Sequence, residues 1–144
     1  MKTRKILVLA LVLVLLVLCL CACGAKEKEP MVLTESENFI VIKPTNDLSG
    51  TPLIDVMKNA KSSGQFDFTY EDTQYGAMIK TINGVGDPTD NTKAWMLYTS
   101  DTEHANTAWG QVEYQSNVYG SATLGASALN VIENGIYIWV YQSF

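Results

Sequence analysis

Residues 75–99 read YGAMIKTINGVGDPTDNTKAWMLYT, two β-prone runs on either side of a loop rich in Gly, Asp, Pro and Asn. Such a pattern predicts a hairpin with strands at about 75–82 and 93–99. Asn83-Gly84 is a turn signal, because both residues tolerate positive φ. The loop is longer than two residues, so Gly84, Gly86, Pro88 and Asn91 are expected to form its mobile tip. A hairpin cannot stand alone in water, so the flanking sequence must supply a partner for its apolar face.

The rest of the chain offers such partners. NFIVIK at 38–43 reads as the first strand, stopped by Pro44. Residues 51–63 read as the one good helix. Leu53, Val56, Met57 and Ala60 recur at i, i+3, i+4 and i+7. Thr51 is placed to N-cap, Pro52 suits the first helical position, and Gly64 suits the C′ position. Phe66, Phe68 and Tyr70 alternate with polar residues, the pattern of a half-buried strand. In the closing run 129–141, Ile136, Ile138 and Val140 face one way and Tyr137, Trp139 and Tyr141 the other. Apolar character on both faces implies a central strand, covered on one side by the helix. Residues 100–125 give only strand fragments around Val112, Tyr114 and Val118. One helix against four or five mostly antiparallel strands is a small α+β layer.

Residues 1–22 stand apart. Lys2, Arg4 and Lys5 precede an apolar run, the pattern of an export signal. The segment ends Leu20-Cys21-Ala22-Cys23-Gly24, which resembles a bacterial lipobox. That resemblance implies that Cys23 carries a diacylglycerol thioether and becomes the mature N-terminus. Residues 23–35, with charges alternating at 26–29 before Pro30, read as a flexible tether. An uncleaved transmembrane anchor is the alternative, the run being near the lower limit for spanning. All three cysteines lie within residues 19–23, so the folded part has no disulfide framework and must hold by its core. Removing Lys2, Arg4 and Lys5 leaves 7 of the 10 basic residues against 15 acidic ones, a formal charge of −8. Nucleic acid and anionic headgroups are poor partners for such a body.

Catalytic chemistry is hard to place. A hydrolytic triad needs a nucleophile, a base and an orienting acid, yet the body has no Cys and a single His. His104, in the polar stretch DTEHANT, reads as a solvated imidazole, or as a metal ligand that would stand alone. Asp87, Asp90 and Asn91 read as a solvated turn, with calcium as a weaker alternative because calcium loops also use a later Glu. No catalytic residue, no metal site and no firm cofactor is expected. The aromatic set of Trp95, Tyr98, Trp109, Tyr114, Tyr119, Tyr137 and Trp139 is the better lead, serving either the core or a contact surface.

The order of motifs carries a resemblance. The helix with Leu53, Asp55, Met57, Lys58 and Ala60 is followed by Phe66-Asp67-Phe68-Thr69-Tyr70-Glu71, then Gly76, then Lys80-Thr81-Ile82-Asn83-Gly84, then Ala94-Trp95-Met96-Leu97-Tyr98, then Glu133-Asn134-Gly135 before a β-rich end. Over residues 36–144 this resembles the DUF4430 family, which is similar to the C-terminal β domain of transcobalamin and intrinsic factor. The resemblance implies a β-grasp-like fold, a mostly antiparallel sheet packed on one helix. It also implies a ligand-binding role, with a corrinoid such as cobalamin as the candidate ligand. On the matching motifs Thr81 and Trp95 would touch it, with Tyr98 of the same aromatic run as a third contact. The expected function is a membrane-anchored, extracytoplasmic small-ligand-binding module that holds its ligand or passes it to a transporter. The alternative is a surface interaction domain that docks on another protein and holds no small molecule. Replacing Cys23 by Ala should abolish lipid addition, read by intact mass; an unprocessed N-terminus in the unmodified chain would instead favour the transmembrane anchor.

Overall fold

The computed structural model describes residues 31–86 and 89–143. The signal segment, Cys23, Asp87 and Pro88 lie outside the described residues. Among the described residues eight strands form two sheets, and one α-helix packs beside them. The strands are β1 (Val32–Ser36), β2 (Phe39–Ile42), β3 (Phe68–Thr73), β4 (Gly76–Ile82), β5 (Lys93–Thr99), β6 (Ala105–Tyr114), β7 (Asn117–Ala122) and β8 (Tyr137–Ser143), and the helix is α1 (Leu53–Ser62). Six strands make an antiparallel sheet in the order β1-β2-β8-β5-β7-β6, while β3 and β4 pair only with each other. This is the α+β layer that the sequence implies. Among the described residues no helix is long and apolar enough to cross a membrane.

Helix α1 follows its sequence closely. Leu53, Ile54, Val56, Met57 and Ala60 are buried, each burial contributing about 1.5–3 kcal/mol for the large side chains. Gly64 at φ +75° ends the helix. Its N–H bonds to Lys61 O and the Gln65 N–H to Ala60 O, a Schellman pair. The N-terminus differs from expectation. Thr51 does not cap; Pro52 holds that position without a side-chain bond. Tertiary backbone does the work instead, with the Leu53 N–H donating to Leu129 O and the Ile54 N–H to Ala126 O. Lys61, in the last turn, reaches Asp67 at 2.6 Å, and that hydrogen bond holds the Asp67 carboxyl below the usual carboxylate range.

Two other expectations are corrected. Residues 32–35, read as tether, belong to β1 and pair with β2. The hairpin across 75–99 does not form. Asn83 and Gly84 do take positive φ, and Ile82 and Val85 exchange two hydrogen bonds around them. The turn then stops. Gly86 lies against the Lys80 carbonyl with no room for a Cβ, and the chain leaves. Strand β4 returns to β3, and β5 crosses into the large sheet beside β8.

Strand β8 is central, as its two apolar faces imply, but the helix lies on its aromatic side. Tyr137 and Trp139 join Ile40, Ile42, Trp95, Leu97, the α1 residues, Phe68 and Ile82 in the main core. Ile138 faces away, into a second cluster with Val41, Tyr98, Tyr114 and Tyr119. The β6–β7 hairpin closes that second cluster. Its two-residue turn is Gln115-Ser116, both at positive φ (49° and 62°), as a type I′ turn requires. Although β6 and β1 are opposite edges of the sheet, the Tyr114 hydroxyl donates to Glu35 Oε1 at 3.0 Å. The sheet therefore curls until its edges meet. Burial and the Glu35 bond raise the Tyr114 phenol above its ordinary value.

Within β6, residues 107–110 form an excursion with no counterpart in β7. It folds over Gly120, where a Cβ would lie 2.9 Å from Asn106 N. Gly120→Ala should therefore cost about 1–3 kcal/mol of overpacking. Gly125→Ala, with nothing within 4 Å, should stay within about 0.5 kcal/mol of the parent. Urea midpoints of the two variants check this pair.

Candidate functional site

Past the end of β5 the chain must turn to start β6, and it does so on a carboxylate. The Asp101 N–H donates to Thr99 Oγ1, the Glu103 N–H donates to Asp101 Oδ1, and the His104 N–H donates to Asp101 O, each at 3.0 Å. An Asp that bonds its own backbone two residues on is a standard turn device. Here the turn has a second product. Asp101 is buried, and its other oxygen, Oδ2, lies 2.8 Å from His104 Nδ1. An ionised carboxylate only accepts, so Nδ1 carries a proton, and in the neutral ring Nε2 keeps the lone pair. Nε2 has no protein partner among the described residues. The Asp101–His104 pair is thus a half-buried imidazole fixed by a buried acid.

The ring borders a cleft of about 500 Å³. One wall is the turn from Ser100 to His104; the other is Ala128, Asn130 and Ile132. Both walls are tied to the start of β8. The Ile136 N–H donates to Ser100 Oγ at 2.9 Å. The Ile132 N–H donates to the Tyr137 hydroxyl at 2.8 Å. Tyr137 is fully buried, and desolvation raises its phenol pKa. Gly135 packs against that hydroxyl so closely that a Cβ would sit 2.8 Å from it. A positioned imidazole can accept a hydrogen bond or give one donor bond to a metal that brings its other ligands with it. Among the described residues no three His, Cys, Asp or Glu gather as a chelating site, and the ring has no hydroxyl partner to activate.

The residues singled out from the sequence do not converge. Thr81 is half-buried in β4, its hydroxyl 2.7 Å from that of Thr69 across the two-stranded sheet. Trp95 is buried in the main core. Its Nε1–H donates to Val85 O at 2.9 Å, and its ring leans on Tyr141. Tyr98 is buried on the opposite face of β5, its hydroxyl accepting from Gln142 Nε2 at 2.8 Å. Strand alternation alone separates an odd from an even position on β5. Trp95 borders a trough of about 250 Å³ lined by β4, β5 and residues 121–126. The aromatic surface is smaller than the aromatic set suggested. Tyr114, Tyr119, Tyr137 and Trp139 are buried, whereas Trp109 is 67% exposed on the 107–110 excursion.

His104, read from sequence as solvated, is the residue that sequence reasoning misplaced. The available signal was an Asp three residues ahead of a His, directly after a strand end. No family model matches the chain, and no curated protein or solved structure matches it.

Asp101→Ala should free the ring and leave the Glu103 N–H unpaired, lowering stability by about 1–3 kcal/mol. The chain has one histidine, so its ring nitrogen NMR signals are unambiguous. The proton should reside on Nδ1 in the parent chain and exchange between tautomers in the variant; identical spectra would contradict the pinned ring.

Proposed function

We propose that this chain is a lipid-anchored, extracytoplasmic small-ligand-binding module, moored through Cys23, with a corrinoid as the candidate ligand and no catalytic step of its own. The observation that carries the reading is the fixed imidazole bordering the cleft at 100–104. A concave site with a small number of placed polar groups is the form that ligand sites take. The resemblance of residues 36–144 to the transcobalamin-like domain supports the same reading, and a mostly antiparallel sheet with one helix packed on one face is compatible with the β-grasp it implies.

The cleft fits a corrinoid in part. Drug-sized ligands fill pockets of about 300–1,000 Å³, so a cleft of about 500 Å³ covers one edge or one face of a larger macrocycle. A corrinoid supplies peripheral amides and a metal with an exchangeable position. Nε2 of His104, the Asn130 amide and the Thr102 hydroxyl are the groups of this chain that would meet them. Partial cover implies modest affinity unless a transporter or surface partner closes the site. The acidic body argues against a nucleic-acid partner.

A second reading, an interaction domain without a small ligand, is favoured by Trp109, an exposed indole on a purpose-built excursion. The Asn106 side chain supports that excursion by accepting from the Ala108 N–H. Exposed Trp residues often anchor protein interfaces.

Calorimetric titration of the chain with cobalamin and cobinamide separates the two. Saturable heat that His104→Ala weakens by about tenfold or more supports the ligand-binding reading. No heat up to millimolar ligand overturns the corrinoid. Loss of envelope partners on Trp109→Ala then supports the second reading.

A further inference from the structure

We infer that the trough between β4 and β5 accepts an extended, uncharged segment of a partner protein as an added β-strand. The inference is independent of the cleft at His104.

The first ground is how the molecule treats its strand edges. Open edges invite pairing, and proteins blunt those they do not use. The outer edge of β1 is blunted: the Val32 N–H donates to Gln65 Oε1, and Asn83 Nδ2 reaches Thr34 Oγ1. Strand β6 is broken by its four-residue excursion at 107–110. The two inner edges are left open. Strand β4 pairs with β3 alone. Strand β5 pairs with β8 along its length, but with β7 only at Tyr98 and Thr99. Residues 93–96 of β5 therefore have no strand partner on that flank, which opens on the trough shared with β4 and residues 121–126.

Backbone direction is the second ground. The Ser100 N–H bonds Ile136 O on the β8 side, so by alternation Trp95 turns its N–H and C=O toward the trough. On β4, the Ala77 N–H points away from β3 and is held by Ser127 Oγ at 2.8 Å. Ile79, two residues on, presents its N–H on the same flank. Polypeptide repeats N–H and C=O at the spacing of these edges, which a small rigid ligand does not.

A third, independent observation is Trp139. It lines the trough, and its Nε1–H is buried without a partner among the described residues. Buried donors are nearly always satisfied, so this one marks incomplete pairing directly beneath the trough. The trough is lined by Ala77, Met78, Met96, Leu97, Leu124 and other uncharged residues, so the inserted residues should be uncharged and small. The −8 charge of the body favours an occupant with Lys or Arg on either side.

The test uses the full chain in detergent and a capped heptapeptide that alternates valine and threonine between terminal lysines. A control carries N-methyl groups on alternate amides, which remove its strand hydrogen bonds. Hydrogen exchange at Ile79 and Trp95 should be fast in the free chain and slowed by the peptide, and the Trp139 indole N–H resonance should shift. The control should bind at least tenfold more weakly. Met78→Arg, at a position 49% exposed and so tolerant of substitution, should abolish binding without changing the unfolding midpoint. Slow exchange at Ile79 and Trp95 in the free chain overturns the inference, because the edges would already be satisfied. So does equal binding of the control, or no binding up to millimolar peptide.

Discussion

Strand β8 is apolar on both faces and sits between β2 and β5, and most of the molecule is arranged to bury it. Tyr137 and Trp139 require cover on one side, which α1 and the β3–β4 ribbon supply. Ile138 requires cover on the other, and only a sheet curled through the β6–β7 hairpin supplies it. Without cysteines in the body, no covalent staple substitutes for either cover. The same strand anchors the cleft at His104. Ile136 holds one wall of the His104 cleft through Ser100, and Tyr137 holds the other through Ile132. Core and site therefore share a foundation, and a change at the start of β8 reaches both.

The cleft and the trough use different physics. At the cleft a buried carboxylate fixes one imidazole, so the capture proposed there turns on a single directed donor or acceptor. At the trough the strand addition proposed would draw on backbone groups repeated along an edge. Both lie next to the 121–132 segment, which contributes Ser121 to Ala126 to one and Ala128 to Ile132 to the other. That segment also accepts the first amides of α1 through Ala126 and Leu129.

The sequence was legible where local pattern and tertiary need agree. The i, i+3, i+4, i+7 positions of α1, the positive φ of Gly64 and the two-faced apolar run of β8 all read correctly. Hairpin 75–99 misled because its turn is real and its partner is not: a turn signal fixes how a chain bends, while pairing is decided by which apolar faces meet. The β6–β7 hairpin was hidden for the opposite reason. Gln115 and Ser116 take positive φ without Gly or Asn to announce it, and the 107–110 excursion breaks the alternation of β6. At the site, Thr81, Trp95 and Tyr98 looked adjacent along the motif, but a separate sheet and the period of two scatter them. His104 could not be placed from its neighbours alone, because its character depends on the burial of Asp101.

The central claim is that the walls of the cleft hang from β8. The most direct measurement is the hydrogen-exchange rate of the Ile132 amide, whose acceptor is the Tyr137 hydroxyl at 2.8 Å. It should exchange as slowly as amides of β8 itself, and Tyr137→Phe should accelerate it by about tenfold or more while leaving the β1–β2 amides unchanged. Fast exchange in the parent chain, unaltered by the substitution, would contradict the account.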